Sequence, residues 1–272
     1  MADQEALDAQ VIRDALPLSL RQAPFELTVM QTVDSTNTWL SARAAGAVNG
    51  TSCLAEHQLA GRGRGSRIWV SPFGCNVHLS MVWRFPARQV AGLSIAVGVC
   101  VAEACDAMGA CGVSLKWPND LIVAREDVHH KLGGILIDVA GDTSAGEGGS
   151  VAVIGIGLNV DMPISQRTAI TQPVCDLTEL VGGRVSRNAL VAQVMERLML
   201  AMPLFEQQGL APFRARFLQR DVNYDRPVRI EQGAHVSTGL ARGIDETGAL
   251  MVETSHGLTR IYSGDVSLRT MR

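Results

Sequence analysis

The chain has 272 residues, of which 47% are hydrophobic, and its formal net charge is −3. This size fits one large domain or a medium domain with a small appendage. The weak negative charge disfavours a general DNA-coating protein but is compatible with a local basic patch. The acidic start carries no secretory signal, and no run of the sequence approaches the roughly 20 apolar residues of a membrane helix.

The first half of the chain is predicted to alternate between helices and strands, because its apolar residues switch between the two periodicities. Ser35 and its neighbours supply capping residues for the second helix, and Pro17 ends the first. The predicted helices cover residues 3–16, 36–45 and 89–108, and the predicted strands cover 25–33, 51–58 and 76–83.

The second half predicts a sheet, two helices and then a change of pattern. Its strands are predicted at 113–117, 121–124, 132–139 and 151–160, and its helices at 187–208 and 210–219. Residues 161–175 show no clear periodicity and are predicted to form a mobile loop over a site. Five short strands separated by turns follow, at 227–231, 235–243, 248–253, 258–262 and 266–269. The fold class is therefore α+β, with a helical extension (1–24), a main domain (25–222) and a small SH3-like barrel (223–272).

The loop 61–67, Gly-Arg-Gly-Arg-Gly-Ser-Arg, is the strongest local signal. Its glycines let backbone amides approach a ligand closely, and its arginines can grip a carboxylate or phosphate. It matches neither a Walker A loop nor a dinucleotide fingerprint, because a strand rather than a helix follows. Composition alone leaves three interpretations: an anion-binding loop, an RNA contact or a solvated turn.

Lysine is rare, with two lysines against 22 arginines. A biased genome composition explains the scarcity, but not why Lys116 and Lys131 remain. Lysine is a compact point charge, whereas arginine is a planar fork, so we expect a point charge to be needed at both places. Lys116 and Asp120 could hold a polyphosphate and Mg²⁺, or form an ordinary salt-bridged hairpin tip. Lys131 could equally be a strand-edge lysine that discourages aggregation.

Other residue types argue against several kinds of chemistry. The six cysteines form no C-x-x-C pair, which disfavours structural zinc and favours buried thiols in a reducing cytoplasm. His57, His129 and His130 are not spaced as metal ligands, and no G-x-S-x-G hydrolase motif is present. Gly155 and Gly157 interrupt a strand, which predicts that another backbone or a ligand approaches closely there.

Six ordered motifs together resemble the biotin–protein ligases, over residue 25 to the C-terminus. They are Ser35-Thr36-Asn37, Glu56-His57-Gln58, the loop 61–67, Lys116-Trp117-Pro118-Asn119-Asp120, residues 131–136 and residues 155–159. The resemblance implies a mixed-sheet catalytic domain of the class II synthetase type. It also implies a two-step reaction, in which biotin and MgATP give biotinyl-5′-AMP and pyrophosphate. Biotin then passes to one lysine of a biotin carboxyl carrier domain, and AMP leaves.

The resemblance also implies roles for individual residues. Lys131 and Arg64 would be catalytic, and Asp120 is a weak candidate for Mg²⁺. The implied biotin-binding residues are Ser35, Thr36, Asn37, Gln58, Arg62, Gly63, Arg64 and Lys131. The implied nucleotide-binding residues are Gly61, Lys116, Asn119, Asp120, Gly134, Gly157 and Asn159, with Gly155 beside the ligand.

Two departures from the family pattern stand out. Members commonly read G-R-G-R-x-G-R, whereas this chain has Gly65 at the variable place and Ser66 at the sixth. We expect this swap to make the adenylate leak faster. About 24 residues precede the first predicted strand, which leaves room for one helix and no winged helix-turn-helix module. The expectation is a monofunctional cytoplasmic enzyme without a DNA or membrane partner, with a homodimer as a further expectation.

Two rival functions remain at this point. A lipoate or octanoate ligase would share the fold class and the acyl-adenylate logic, although the loop 61–67 and the segment 116–120 favour biotin. An RNA-binding module would use the arginine–glycine loop and the small barrel. It predicts salt-dependent nucleic-acid affinity without ATP dependence.

Overall fold

The computed structural model describes residues 5–86, 90–125, 128–142, 149–168, 170–232, 235–262 and 266–270. Two of the predicted turns between the C-terminal strands, and the first residues of the predicted helices 3–16 and 89–108, lie outside these residues. The described helices are α1 (Ala9–Ala15), α2 (Leu18–Arg21), α3 (Thr36–Ser41), α4 (Leu93–Ala107), α5 (Ile164–Arg167), α6 (Leu177–Val181), α7 (Arg187–Gln208) and α8 (Ala211–Leu218).

A seven-stranded mixed sheet forms the centre of the molecule and confirms the predicted α+β class. Its strands are β1 (Leu27–Val33), β2 (Ser52–Gln58), β3 (Asn76–Phe85), β4 (Ser114–Lys116), β5 (Asp120–Arg125), β6 (Val128–Asp142) and β7 (Gly149–Asn159). Their order is β1-β2-β3-β7-β6-β5-β4, and β1 and β2 are parallel while the other neighbours are antiparallel. The strand predictions are thus confirmed, with β6 longer at both ends than expected.

The two faces of β3 differ in chemistry, and this difference places the site. Val77, Leu79 and Met81 belong to the main hydrophobic core, which also contains residues of α4 and α7. His78 and Ser80 alternate with them and are equally buried, although they are polar. Side chains alternate between the faces of a strand, so the second face is buried and polar at these two positions, while Val82 further along it joins a second hydrophobic cluster.

Helix α3 lies close to β2, β3 and β7 and covers part of that polar face. It begins after Ser35, whose hydroxyl accepts a hydrogen bond from the amide of Thr38 at 3.4 Å, as a capping residue does. Gly155 of β7 makes the close approach possible, because a Cβ atom there would lie 2.3 Å from Asn37 Oδ1. The sequence predicted the approach of another backbone or a ligand at this strand, and the group that approaches Gly155 is the Asn37 side chain.

The N-terminal stretch is tied to the main sheet through one buried ion pair. Helix α1 begins at Ala9, later than predicted, because Asp8 caps it by accepting two backbone hydrogen bonds. The Glu5 carboxylate accepts from Ser186 and from the amide of Arg187 at the start of α7. Arg187 in turn pairs with the buried Glu56 of β2 at 2.6 Å.

The five predicted C-terminal strands are present as an antiparallel sheet. They are β8 (Pro227–Gln232), β9 (His235–Ile244), β10 (Leu250–Thr254), β11 (Gly257–Ile261) and β12 (Val266–Thr270), in the order β11-β10-β9-β8-β12. Trp117 joins the two sheets, because its indole Nε1 donates to the carbonyl of Gly248 at 2.8 Å. None of the described helices has the length and hydropathy needed to cross a membrane.

Candidate active site

A cavity of about 650 Å³ opens on the polar face of the large sheet. This volume is typical of pockets that bind small organic ligands. The structure brings thirteen of the fifteen sequence-predicted site residues into its lining. They are Ser35, Thr36, Asn37, Gln58, Arg62, Gly63, Arg64, Asn119, Asp120, Lys131, Gly134, Gly157 and Asn159.

Gly61 and Lys116, the other two predicted residues, lie beside the cavity. Gly61 is buried against Trp69, where a Cβ atom would lie 2.9 Å from the Trp69 carbonyl oxygen. Lys116 lines a small adjoining cavity that shares Asn119 and Asp120 with the main one. Their expected nucleotide contacts therefore stay predictions.

Neutral polar groups of Thr36 and Gln58 form one end of the cavity, which we call the ring end. Gln58 Oε1 accepts from the Thr36 amide at 2.9 Å and lies 3.1 Å from the Thr36 hydroxyl. These contacts fix the Gln58 amide, so that Nε2 is its donor group. Gln58 Nε2 has no acceptor among the described residues.

The Asn37 amide is occupied by protein groups. Its Nδ2 donates to the Leu136 carbonyl at 3.2 Å and to Asp138 Oδ2 at 3.1 Å, and its Oδ1 lies 2.6 Å from Ser80 Oγ. Both Nδ2 protons are therefore used inside the protein. Asn37 lines the cavity as predicted, but its geometry suits holding the ring end in place.

The opposite end of the cavity carries charge. Lys131 Nζ donates to Asp120 Oδ1 at 2.8 Å, and the two side chains are 17% and 25% exposed. The same ammonium lies 5.8 Å from the centroid of the Trp69 ring, within the range of a cation–π contact. We call this the charged end. A partly buried ammonium here can attract a ligand carboxylate or phosphate more strongly than one in open solvent.

The loop 61–67 spans the cavity between these ends. Arg62 lies 3.3 Å from both Thr38 Oγ1 and Asp138 Oδ2, whereas Arg64 Nη1 lies 3.4 Å from Asn119 Oδ1. Gly65 has a φ of 60° and a ψ of 37°, in the left-handed region that favours glycine. The glycine at the fifth place of the loop is therefore needed by this loop conformation.

The predicted loop 161–175 contributes Met162, Ile170, Thr171, Gln172 and Val174 to the lining. Its end is fastened to β6, because the Lys131 amide donates to the Pro173 carbonyl and the Cys175 amide donates to the Lys131 carbonyl. Asn159 Nδ2 donates to both the Lys131 and Cys175 carbonyls, at 3.3 and 3.1 Å. Asn159 therefore positions the backbone of Lys131. The loop therefore lines the cavity, and its predicted mobility stays a prediction.

Sequence reasoning missed His78, Ser80, Trp69 and Asp138. Burial lowers the pKa of His78 to about 3, with the nearby charges of His57 and Arg187 adding to the effect, so the ring is neutral at pH 7. His78 Nε2 lies 2.6 Å from Ser71 Oγ, and its Nδ1 has no partner among the described residues. For His78 and Ser80, the sequence did carry a signal, because both are polar residues on the second face of the predicted strand 76–83.

We also searched the described residues for clusters of metal-binding side chains and for a reactive thiol near the cavity. Within the described parts of the chain, no group of three or more His, Cys, Asp or Glu side chains is placed to hold a metal. Burial raises the pKa of the Cys175 thiol to about 12, which keeps it protonated.

A cavity with neutral amides at one end and an ammonium at the other defines a class of enzyme. Such a site can bind a small acid that carries a polar ring, with the ring at the neutral end. Its ammonium can then neutralise the carboxylate of that acid and a second anion beside it, as ligases that activate acids with a nucleotide require. Two family models match the chain, namely the Biotin/lipoate A/B protein ligase family at residues 29–159 and the Biotin protein ligase C terminal domain at residues 225–269.

Similar proteins bear biotin-ligase names. The Bifunctional ligase/repressor BirA of Salmonella typhimurium is 40% identical over 247 residues, covering 90% of this chain and 74% of the relative. The Biotin--[acetyl-CoA-carboxylase] ligase of Mycobacterium tuberculosis is 30% identical, covering 96% and 95%. The structure of the Aquifex aeolicus biotin protein ligase in complex with biotin and ATP matches with a TM-score of 0.75 at 26% identity, covering 90% and 99%. The chain belongs to the biotin protein ligase family.

Proposed function

We propose that this ligase activates biotin with MgATP and transfers it to a biotin carboxyl carrier domain. In the first step, a biotin carboxylate oxygen attacks the α-phosphorus of ATP, and the bond to pyrophosphate breaks. In the second step, the ε-amine of a carrier lysine attacks the carbonyl carbon, the bond to AMP breaks, and the amine proton passes to solvent.

The observation that carries this proposal is the pairing of Thr36 and Gln58 at the ring end. The Thr36 hydroxyl has protein acceptors for its proton in Ser80 Oγ at 2.8 Å and Gln58 Oε1 at 3.1 Å, so it offers a lone pair to a ligand, while Gln58 Nε2 offers a donor. An acceptor beside a donor matches the N–H and C=O edge of the biotin ureido ring. The dithiolane ring of lipoate has neither group and would leave the buried polar atoms unpaired, which disfavours it.

The charged end supports the adenylation step. Lys131 is positioned to bridge the biotin carboxylate and the α-phosphate, and Arg64 to close over the same anions. Asp120 and Asn119 supply oxygen atoms near this position, and Asn119 is held by donating to the Ile135 carbonyl at 2.7 Å. Mg²⁺ prefers oxygen ligands and keeps several waters, so it would enter with the ATP phosphates and take Asp120 as its protein ligand.

The test is pyrophosphate release from biotin and MgATP, with wild type and Lys131→Arg compared. We expect Lys131→Arg to lower the rate by about 100-fold or more, because a planar fork cannot replace a point charge between two anions. Lys116→Arg, at the other lysine, is the matched comparison and should lose less. Full activity of Lys131→Arg would contradict the role of Lys131. Transfer of labelled lipoate in preference to biotin would contradict the substrate.

The finer features of the prediction belong to the same proposal. We propose that residues 1–24 form a helical extension, 25–222 the catalytic domain of class II synthetase type and 223–272 an SH3-like barrel, which the order of the five C-terminal strands supports. We also propose a cytoplasmic location, supported by six free cysteines, and a homodimer, to be tested by sedimentation with and without biotin and ATP. The proposal includes no DNA partner.

A further inference from the structure

Four polar side chains form a continuous chain behind the ring end. Thr36 Oγ1 lies 2.8 Å from Ser80 Oγ, and Ser80 Oγ lies 2.6 Å from Asn37 Oδ1. Asn37 Nδ2 completes the chain by donating to Asp138 Oδ2 at 3.1 Å. Thr36, Ser80 and Asn37 are buried, while the Asp138 side chain is 37% exposed. The reaction described above gives no role to Ser80 or Asp138.

The direction of each hydrogen bond in this row of four side chains follows from the contact between Asn37 and Asp138 at its end. Asn37 Nδ2 faces the Asp138 carboxylate and the Leu136 carbonyl, which both accept, so the amide has one orientation. Asn37 Oδ1 can then only accept, and Ser80 must donate its single hydroxyl proton to it. The 2.8 Å contact between Ser80 and Thr36 holds a proton only if Thr36 is the donor.

The consequence is a polarised ring end. With its proton directed at Ser80, the Thr36 hydroxyl turns a lone pair toward the cavity. We propose that Ser80 and Asp138 are positioning residues that hold Thr36 as a hydrogen-bond acceptor, so that the ring end selects a ligand N–H over an oxygen in the same place. This inference rests on the proposed function and adds to it the source of ring selectivity.

Asp138 also connects this selection to the loop 61–67. The same Oδ2 atom that accepts from Asn37 lies 3.3 Å from the guanidinium of Arg62. One carboxylate therefore fixes the Asn37 amide and holds one end of the loop. Replacing it by an amide would weaken both contacts, because charge-assisted hydrogen bonds are roughly twice as strong as neutral ones.

The test compares biotin with two cyclic carbamates, in each of which oxygen replaces one of the two ureido N–H groups. Calorimetry gives the Kd of each ligand for the wild type and for Ser80→Ala. The wild type should bind one carbamate weakly, because a lone pair of its ring oxygen would face a lone pair of the Thr36 hydroxyl. Without Ser80, the Thr36 hydroxyl loses its 2.8 Å acceptor and keeps Gln58 Oε1 at 3.1 Å, which already accepts from the Thr36 amide, so the hydroxyl is freer to rotate and donate to the ligand. We expect the ratio of carbamate Kd to biotin Kd to fall about fivefold for that analogue. A ratio unchanged within about twofold for both analogues overturns the inference, since one neutral hydrogen bond contributes more than that.

Two further variants separate this effect from general damage. Ser52→Ala is the matched control, because Ser52 is a buried serine of β2 whose hydroxyl donates to the Gly50 carbonyl at 2.8 Å, and it should leave the ratio unchanged. Asp138→Asn tests the partly exposed end of the chain and should lower the ratio in the same direction. If Ser80→Ala and Asp138→Asn both keep the wild-type ratio of carbamate Kd to biotin Kd, this inference is wrong while the proposed function stands. A wild type that binds no biotin defeats the proposed function.

Discussion

Lys131 Nζ lies 2.8 Å from Asp120 Oδ1, and the two side chains enter the cavity from the paired strands β6 and β5. The register of this pair shifts by one residue between Leu121 and Ile122, next to Lys131. Such irregularities redirect side chains and are common beside active sites. An incoming anion must share the ammonium with Asp120, so the carboxylate tunes how strongly the charged end attracts substrate.

Asp120→Asn should lower the rate of pyrophosphate release by about tenfold or more, because it removes a charge that orients Lys131 and a candidate Mg²⁺ ligand. It should also raise the Mg²⁺ concentration that gives half the maximal rate. Initial rates measured over a Mg²⁺ titration check both effects. Asp14→Asn, on the exposed side of α1, is the control. An unchanged Mg²⁺ dependence would remove Asp120 as a metal ligand.

Gly157→Ala should damage both binding and stability. A Cβ atom at Gly157 would lie 2.7 Å from two carbon atoms of the Trp69 ring, so the indole or the strand must shift. Overpacking of this kind lowers the free energy of unfolding by about 1–3 kcal/mol. Denaturant unfolding and biotin titration measure the two effects. Gly141→Ala, at a glycine of β6 with open space around it, should match the wild type in both.

The loop departure at Gly65 and Ser66 predicts faster loss of the adenylate. Gly65→Arg/Ser66→Gly restores the usual family pattern, and we expect it to slow the release of biotinyl-5′-AMP in a single-turnover trapping experiment. The left-handed φ at Gly65 adds a structural condition, because an arginine there forces the loop into another conformation. Gly65→Arg alone should therefore destabilise the observed conformation of the loop 61–67. Equal retention in the wild type and the double variant would refute the prediction.

Asp221 should make the protein less stable as the pH rises. Burial raises its pKa to about 6 from 3.8, and its Oδ2 has no hydrogen-bond partner among the described residues. Between these two pH values the folded state binds more protons than the unfolded state, so the free energy of unfolding falls as pH increases through this window. Asp221→Asn should raise stability at pH 7.5 by about 1–3 kcal/mol and leave it nearly unchanged at pH 3.5.

Chemical denaturation of both proteins across pH 3.5–8 measures the Asp221 effect directly. Glu246→Gln, at a carboxylate whose side chain is 76% exposed, is the control and should change little at either pH. A variant that is no more stable than the wild type at pH 7.5 would show that another group compensates the buried charge.

Local signals in the sequence were sufficient for most elements of the fold. Helix α7 runs from Arg187 to Gln208 as predicted, because Ser186 caps its start and Gly209 follows its end with a positive φ. The start of α1 was predicted too early. Amphipathic periodicity continues through residues 5–8, but their polar groups bond to the start of α7 instead of to each other.

The site was harder to predict, because its details depend on pairing between distant segments. Thirteen predicted residues share one cavity, since the family motifs mark them. The use of the Asn37 amide depends on Asp138, which is 101 positions away along the chain. Ser80 was missed because a polar strand face ordinarily faces water, whereas here α3 covers it. Propensity and periodicity carry no information about such coverage.

The hydrogen bond from Trp117 to Gly248 makes the C-terminal sheet part of the structure behind the site. Gly248 packs so closely that a Cβ atom there would lie 2.9 Å from the backbone of Gly92, just before α4. The residues after Trp117 include Asn119 and Asp120, which line the charged end. Heating should therefore produce a single cooperative transition instead of two, and substitutions that loosen the turn at 245–248 should make the charged end of the cavity less rigid.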